Sequence, residues 1–266
     1  VTGVGANQIA DTSLITVNSG TVNFAGRNET IGSLVMNGGI FRTDSDTTTG
    51  LTGNKVTILG NATINAVGDN GGLIADNATV ISIGGNLTIG EQARVLANSS
   101  GTMNVAGTVT LTGSTIRIAS GGGASNFGLG GTVTTLAHGQ AAVFDGQDDS
   151  DSFLNLNAAG GSRIFNVADG LATDDLIVSV KVRDGASSTD GSGAGTVAAN
   201  QSGITKDGAG KMVLRGGSSN LFTGVATVSA GTLELAKTAG QNSISGSELS
   251  IASGATVQQR TSNQIA

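Results

Sequence analysis

The chain has 266 residues, 44 of them glycine, and it lacks proline, cysteine, tryptophan and tyrosine. Its formal net charge is −6 and its 13 lysine and arginine residues are scattered, which excludes the concentrated basic face that nucleic acids and anionic membranes require. No apolar run approaches the ~20 residues that span a bilayer, and the lack of cysteine excludes disulfides and thiolate metal sites.

Short alternations of apolar and polar residues dominate the first 118 residues. A period of 2, with threonine and branched apolar residues cut by glycine and asparagine, is typical of β-strands. No long apolar stripe with helical spacing occurs, and the missing prolines suit a backbone whose N–H groups donate to β-ladders. The predicted strands are 14–17, 21–24, 34–36, 55–58, 79–83, 86–89, 103–105, 108–111 and 115–118, with a further one at 176–180.

A recurring unit joins these strands in pairs. VNSGTVNF at 17–24 and VSAGTLEL at 228–235 share the order apolar, two small residues, Gly, Thr, apolar, polar, apolar. MNGGIFRT at 36–43 and IASGATVQ at 251–258 are looser copies. The unit predicts a strand, a tight corner at glycine and a second strand, although a hairpin would satisfy the same pattern.

The spacing of the repeat favours a coil over hairpins. Apolar positions recur after 23 residues from Val35 to Ile58, from Ile58 to Ile81 and from Val228 to Ile251. Repeats of 20–50 residues are the signature of solenoids and related arrays. We therefore predict an all-β parallel β-helix (a β-solenoid) of about eleven or twelve rungs stacked about 4.8 Å apart. Inward apolar residues would form columns, while threonine and asparagine would cover the outside.

Three segments between 119 and 202 blur the repeat and are predicted to be loop insertions. They are the Gly/Ser-rich stretches 120–131 and 184–203 and the acidic stretch 145–152. Strand-like segments persist between them at 132–136, 153–156, 163–167 and 176–182. We interpret 1–266 as one solenoid segment of a longer protein, with regular rungs at 1–118, insertions at 119–202 and a distinct repeat at 203–266.

Residues 203–235 resemble the autotransporter-associated β-strand repeat, also called the passenger-associated transport repeat. Two extra residues before Asn220, and Val225 and Ala226 in place of the usual Gly and Thr, are modest departures from the pattern. The matching residues are Gly203, Ile204, Thr205, Lys206, Gly208, Ala209, Gly210, Met212, Leu214, Gly216, Asn220, Phe222, Thr223, Gly224, Val228, Gly231, Thr232 and Leu233.

The resemblance implies a right-handed parallel β-helix passenger of an outer-membrane autotransporter, or another large secreted bacterial surface protein. It also implies export to the cell surface or the extracellular space, without implying an activity. The predicted function is a non-catalytic structural or adhesive rod, with self-association or other surface proteins or polysaccharides as partners. The alternative is a β-helix that binds or degrades polysaccharide.

Candidate chemical groups are few. His138 is the only histidine and is predicted to have a structural or surface role, because no second His or Cys could complete a zinc site. Asp145, Asp148, Asp149 and Asp151 form the densest carboxylate group. They lack the spacing of a calcium loop, so we predict a solvated loop there, with a weak calcium site as the alternative. GDNGG at 68–72 only faintly echoes a calcium repeat. We therefore predict no catalytic, cofactor-binding or metal residues and no cofactor.

Enzymatic and ice-binding roles are not expected. Polysaccharide lyases and hydrolases need paired carboxylates or an Arg/Lys base and aromatic residues for the sugar, and this chain has only seven phenylalanines. Binding of ice by threonine ladders would need Thr-x-Thr in register over many rungs. The stretches TLTGST at 110–115 and TTTG at 47–50 do not repeat so regularly.

Overall fold

The computed structural model describes residues 7–44, 54–65, 72–121, 123–146, 151–185 and 201–266. These ranges contain 27 β-strands and no helix. None of the described segments therefore offers a helix of the length and apolarity that a membrane span needs. The all-β prediction is confirmed for this part of the chain.

The strands follow one another at short intervals along the chain. The first nine are β1 (Leu14–Val17), β2 (Thr21–Asn23), β3 (Glu29–Ile31), β4 (Ser33–Met36), β5 (Ile40–Thr43), β6 (Lys55–Ile58), β7 (Ala62–Ile64), β8 (Gly72–Ala75) and β9 (Val80–Ile83). The next nine are β10 (Leu87–Ile89), β11 (Arg94–Asn98), β12 (Thr102–Val105), β13 (Val109–Leu111), β14 (Thr115–Ala119), β15 (Ser125–Leu129), β16 (Val133–Thr135), β17 (Ala142–Gly146) and β18 (Ser152–Asn155). The last nine are β19 (Ser162–Val167), β20 (Leu176–Val178), β21 (Lys181–Arg183), β22 (Gly203–Asp207), β23 (Lys211–Gly216), β24 (Ala226–Val228), β25 (Thr232–Lys237), β26 (Leu249–Ile251) and β27 (Thr256–Gln259).

The strands form three parallel sheets, which we name A, B and C. Sheet A has ten strands in the order β1-β4-β7-β10-β13-β16-β19-β22-β24-β26, and sheet B has ten in the order β2-β5-β8-β11-β14-β17-β20-β23-β25-β27. Sheet C has seven, from β3 to β21. Successive strands thus belong to different sheets, which is the topology of a three-sided parallel β-solenoid and not of hairpins. The count of eleven or twelve rungs is not confirmed, since the longest sheets have ten strands.

Sheet C is reduced to single bridges after β21. Leu221 bridges to Arg183, and Ile244 bridges to Ile265, both in parallel. The coils of residues 203–266 therefore depend on sheets A and B and on side-chain hydrogen bonds along the third side.

One continuous apolar core runs along the interior. Inward residues of successive strands stack directly on one another, as the predicted columns require. In sheet A the column begins with Ile15, and its register continues from coil to coil through nine further positions: Leu34, Ala62, Leu87, Val109, Val133, Phe165, Lys206, Val228 and Ile251. Lys206 is the one charged member of this column.

The glycine corners of the recurring unit are confirmed. Each copy places a glycine with a left-handed backbone between a strand of sheet A and the next strand of sheet B. The φ angles are 77° at Gly20, 72° at Gly39, 63° at Gly231 and 82° at Gly254. Only glycine adopts these angles without a steric penalty.

The prediction that residues 23 positions apart stack on one another is only partly right. Val228 does pair with Ile251, but Val35 pairs with Thr63 and lies in sheet A, whereas Ile58 lies in sheet C and pairs with Ile83. The number of residues per coil varies along the chain, so a fixed interval of 23 residues can join positions that lie on different sheets. Spacing alone therefore predicts the coil but not which residues stack.

The prediction that 120–131 forms a loop insertion is wrong for its central residues 125–129. Ser125–Leu129 forms β15, which pairs with β12 and β18 in sheet C. Phe127 is completely buried there and packs edge-on against Phe144, with ring centroids 6.0 Å apart. The strand-like segments 132–136, 153–156 and 163–167 are confirmed, and 176–182 contains the two strands β20 and β21.

Candidate functional site

The residues of the 203–235 repeat build a corner clamp around Lys206. Its side chain is completely buried and its Nζ donates hydrogen bonds to the carbonyl oxygens of Asp207 at 3.0 Å and Gly208 at 2.7 Å. A third bond of 3.0 Å reaches the carbonyl oxygen of Ala230 in the corresponding corner one coil later. One ammonium group thus joins two successive glycine corners. Its three N–H donors match the three acceptors.

Burial shapes the acid–base behaviour of this clamp. Desolvation lowers the pKa of Lys206 from 10.5 to about 8, against the opposing attraction of Asp207 and Asp175. No carboxylate forms a salt bridge with its ammonium group among the described residues. Lysines with lowered pKa values can act as catalytic bases, but this amine points at backbone oxygens inside the coil and has no path to a substrate.

Arg163 and Lys237 use the same chemistry elsewhere in the coil. Arg163 donates to the carbonyl oxygens of Gly130, Leu156 and Asn157 at 2.7, 2.9 and 3.0 Å. Burial lowers the pKa of Arg163. The buried Lys237 donates to the carbonyl oxygen of Arg215 at 3.1 Å. Each cation satisfies carbonyl groups where the chain leaves a strand, and the long-range bonds join neighbouring coils.

The outer face of sheet B carries a ladder of alternating charge. Lys211 Nζ lies 2.7 Å from a carboxylate oxygen of Asp174 and 2.7 Å from one of Glu234. Glu234 also lies 3.1 Å from Nε of Arg260 in the following coil. Hydrogen bonds to Asp174 and Glu234 raise the pKa of Lys211. The ladder stabilises the stacking of adjacent coils and leaves no carboxylate pair facing a groove.

Side-chain hydrogen bonds replace the strands of sheet C in the repeat. The amide oxygen of Asn220 accepts from the backbone N–H of Val182 at 3.0 Å, and its amide nitrogen donates to the carbonyl oxygen of Ser243 at 2.7 Å. The carboxylate of Asp184 accepts from the N–H and the hydroxyl of Thr223 at 2.8 and 2.6 Å. These bonds explain why Asn220 and Thr223 belong to the repeat pattern.

Another buried cation, Arg183, lies on sheet C. Arg183 Nε donates to the amide oxygen of Asn155 at 2.6 Å, and its terminal nitrogen donates to that of Asn126 at 2.7 Å. Its guanidinium carbon lies 3.9 Å from the centroid of the Phe153 ring. Burial lowers the pKa of Arg183. The two amides and the ring occupy the guanidinium group, so the arrangement is a packed contact and not an open site.

His138 lies on a corner loop between sheets A and B. Its Nδ1 accepts a hydrogen bond from the backbone N–H of Gln140 at 3.1 Å, and its Nε2 lies 3.7 Å from a carboxylate oxygen of Glu91. Its carbonyl oxygen accepts from the N–H of Leu171 in the adjacent loop at 2.9 Å. These contacts hold two neighbouring loops together. The structure places no serine or other nucleophile in hydrogen-bond contact with His138 within its described part.

The structure describes only part of the acidic stretch 145–152. Asp145 is the penultimate residue of β17, where it lies 3.4 Å from Nε of Arg117 and accepts a hydrogen bond from Ser179. Asp148 and Asp149 lie outside the described residues, and Asp151 is exposed. Most of GDNGG at 68–72 and all of TTTG at 47–50 also lie outside the described residues. Across the ranges that the structure describes, no three acidic or histidine side chains come together as a metal site.

Comparison with known families identifies the segment that contains the Lys206 clamp. Residues 204–235 match the passenger-associated transport repeat. This match spans β22 to β25 and leaves the rest of the chain outside it. No curated protein and no solved structure gives a significant match to the chain. The resemblance expected from residues 203–235 is therefore confirmed.

The structure gives a physical role to positions that the sequence pattern only marks. Lys206 and Arg183 were not singled out from the sequence as chemical groups. The partners of Arg183 lie up to 57 residues away along the chain, so no local motif could predict them. The partners of Lys206 lie within the repeat itself, and the available signals were its place in the repeat pattern and its inward position on an alternating strand.

Proposed function

We propose that the chain is a non-catalytic, extracellular β-solenoid segment of a bacterial surface protein, similar to the passenger of an autotransporter. In this proposal the coil is right-handed and serves as a protease-resistant rod. The rod is displayed at the outer membrane or secreted, and it contacts other surface proteins, polysaccharides or further copies of itself through its lateral faces and loops. The match of residues 204–235 to the passenger-associated transport repeat is the observation that carries this proposal.

The packing of the coils supports a structural role. Inward residues from β1 to β27 form one core, and each interior coil covers the apolar face of the next. Stability in such arrays is approximately the sum of terms from neighbouring repeats. A chain of this kind can fold coil by coil, which suits export in an extended form. The lack of cysteine removes any risk of disulfide formation before export is complete.

The chemistry of the described residues favours a rod over a polysaccharide-degrading enzyme. The side chains of Lys206, Arg163 and Arg183 donate hydrogen bonds to backbone carbonyls or side-chain amides. The carboxylates of Asp174 and Glu234 are engaged by Lys211. A glycosidase would need two carboxyl groups facing each other across a groove, and none of these groups is arranged in this way.

Surface display tests the proposal directly. The chain would be placed between a secretion signal and an outer-membrane β-barrel in a Gram-negative host, and intact cells would be treated with protease. We expect the segment to reach the surface and to remain uncut except in exposed loops. As a matched control, Leu87→Asp places a charge in the core, and we expect it to be digested. Retention inside the cell, or equal digestion of both forms, would contradict the proposal.

A second experiment separates the rod from an enzyme. The purified chain and Asp145→Asn would be incubated with acidic and neutral bacterial polysaccharides, and new reducing ends would be measured. The rod account expects none from either protein. Release of reducing ends that is lost in Asp145→Asn would instead support the enzyme.

A further inference from the structure

An asparagine ladder runs along the corner between sheets A and B in the first coils. Nδ2 of Asn37 donates a hydrogen bond to Oδ1 of Asn18 at 2.8 Å, and Oδ1 of Asn37 accepts one from Nδ2 of Asn65 at 2.7 Å. Each of these residues directly follows a strand of sheet A, so they occupy equivalent positions in three successive coils. The amide of Asn37 is therefore held from both sides, by the coil before it and by the coil after it.

The middle asparagine of this ladder is followed by a glycine that the corner requires. A Cβ atom at Gly38 would lie 2.4 Å from the carbonyl oxygen of Asn18, so a side chain fits there only if the main chain of the previous coil moves. Asn18 and Asn65 are followed by serine and alanine instead. Among the described residues Asn37–Gly38 is the one Asn-Gly pair, since the other pair of the chain, at 70–71, lies outside them.

An Asn-Gly pair can react with itself in water. The main-chain nitrogen of Gly38 loses its proton and bonds to Cγ of Asn37, the bond from Cγ to the side-chain nitrogen breaks, and ammonia leaves. Water then opens the five-membered imide ring at either carbonyl, which leaves aspartate or isoaspartate in place of the asparagine. Glycine favours the first step because it has no Cβ to hinder the attacking nitrogen.

Isoaspartate would damage the corner. Its main chain runs through Cγ, which adds one atom to the connection between β4 and β5. Directly after this connection the N–H of Ile40 donates to the carbonyl oxygen of Gly20 at 2.8 Å, and Phe41 stacks between Val22 and Leu73 in the core. A longer connection would strain this register. An intact amide at Asn37 therefore preserves the stacking of the first coils.

The folded coil engages both groups that would react. The N–H of Gly38 donates to the carbonyl oxygen of Val17 at 3.3 Å, beside the N–H of Asn37 at 2.8 Å. The two ladder bonds hold the side-chain amide of Asn37 at its oxygen and its nitrogen. Ring closure needs a free main-chain nitrogen and an amide that turns toward it in the correct orientation. Both conditions require these hydrogen bonds to open first.

We infer that the ladder of Asn18, Asn37 and Asn65 protects a latent deamidation site at Asn37–Gly38. The corner needs glycine at position 38 for space, which creates the reactive pair, and the stacked amides keep that pair closed. Local opening of a folded chain has its own equilibrium. The rate of deamidation is then the rate in the open chain multiplied by the population of the open corner. The modification would thus record how often the first coils separate.

Mass spectrometry of aged protein tests this inference. The whole chain would be kept at mildly alkaline pH, either folded or unfolded in urea, and then digested with trypsin. Cleavage after Arg27 and Arg42 gives a peptide whose only Asn-Gly bond follows Asn37, and conversion of its amide to an acid would be followed over time. We expect conversion to be at least about tenfold slower in the folded chain, equivalent to ~1.4 kcal/mol.

Two matched double variants separate the ladder from a general loosening of the coil. Asn18→Ala/Asn65→Ala removes both side-chain partners of Asn37 and leaves the tryptic peptide unchanged. Asn61→Ala/Asn86→Ala removes two amides at the corner between sheets C and A, where each amide oxygen accepts a backbone N–H of the next coil at 2.9 Å. We expect the first variant to convert about tenfold faster than the original chain, within the net contribution of two hydrogen bonds. The second should match the original chain.

Circular dichroism and melting would show that both variants are folded. Equal conversion in the folded and the unfolded original chain would overturn the inference. Unchanged conversion in Asn18→Ala/Asn65→Ala, or equal acceleration in both double variants, would also overturn it.

Discussion

Replacing Lys206 with methionine tests the buried clamp of the transport repeat. Methionine keeps an unbranched stem of similar length in the column between Phe165 and Val228. The substitution therefore removes the ammonium group and its three bonds to carbonyl oxygens while largely preserving the packing. Two opposing effects follow at neutral pH. The carbonyl groups lose their hydrogen-bond donors, which lowers stability by about 1–3 kcal/mol per unsatisfied group. The folded chain also no longer carries a desolvated charge, which raises its stability.

The pH dependence separates these two effects. Because the pKa of Lys206 is about 8 in the folded chain and 10.5 in the unfolded chain, the unfolded chain binds more protons between these values. The free energy of unfolding of the original chain therefore rises with pH across that window. At 1.36 kcal/mol per pKa unit, the gain over Lys206→Met reaches up to about 3 kcal/mol by pH 10.5. The chain contains no Cys or Tyr whose titration would obscure this window.

Urea unfolding followed by far-ultraviolet circular dichroism at pH 7 to 11 would measure the difference. Lys211→Met is the matched control, because hydrogen bonds to Asp174 and Glu234 raise the pKa of Lys211. Its contribution is fully present below pH 10.5 and is lost as pH rises through its higher folded pKa. A constant difference between the original chain and Lys206→Met from pH 7 to 11 would refute the lowered pKa of the clamp.

Three further substitutions test the core, a corner and the sheet C stack. Leu87→Ala empties part of the sheet A column, and we expect it to lower the free energy of unfolding by about 2–5 kcal/mol. Thr88→Ala on the outer face should change it by less than about 0.5 kcal/mol in urea unfolding. Equal effects of the two substitutions would contradict the assigned faces. Gly39→Ala would bring Cβ within 2.3 Å of the carbonyl oxygen of Gly20, whereas an alanine at Gly20 would have a similar φ but open space around it. We expect Gly20→Ala to lower the free energy of unfolding by about 1–2 kcal/mol. Gly39→Ala should lower the melting temperature clearly more than Gly20→Ala. In Arg183→Lys, the lysine cannot bind both amides as the planar guanidinium fork does, and we expect the free energy of unfolding to fall by about 1–3 kcal/mol. Hydrogen exchange of the backbone amides in β18 and β21 would report this change. Unchanged protection would argue against the contact of Arg183 with the two amides and the Phe153 ring.

The parallel coil could be predicted because its signals are local and repeated. Alternation with period 2 fixes which side chains can point inward, and a glycine corner with positive φ separates the strands of sheets A and B. Gly20 and Gly231 occur in the same sequence context, and both have a left-handed backbone. A prediction from such a unit depends on only about eight residues, so it holds wherever the unit occurs.

The stacking register was harder to predict because it depends on residues outside the unit. Coil length varies along the chain, so the pairs Val35–Thr63 and Ile58–Ile83 do not follow from one fixed interval. The buried strand Ser125–Leu129 was missed for a related reason. Its glycine and serine neighbours resemble a loop, whereas its packing against β12 and β18 is decided by the adjacent coils.

The candidate sites follow the same division between local and long-range signals. His138 and Asp145 were visible in the sequence because of their residue types, yet their contacts join loops and strands within the coil. Lys206 was visible in the sequence only as a position of the transport repeat. Its bonds to the carbonyl oxygens of two successive corners appear only when the coils are stacked.

Cysteine cross-linking tests the stacked coil most directly, since the natural chain has no cysteine to interfere. Thr88 and Thr110 are direct partners in adjacent coils, and parallel partners about 4.8 Å apart lie within the Cα separation of about 4.4–6.8 Å that a disulfide spans. The coil predicts a rapid disulfide in Thr88→Cys/Thr110→Cys and none in Thr88→Cys/Arg94→Cys, whose positions lie on different sheets. A disulfide in the second pair but not in the first would show that β10 and β11 form a hairpin, and it would contradict the coil.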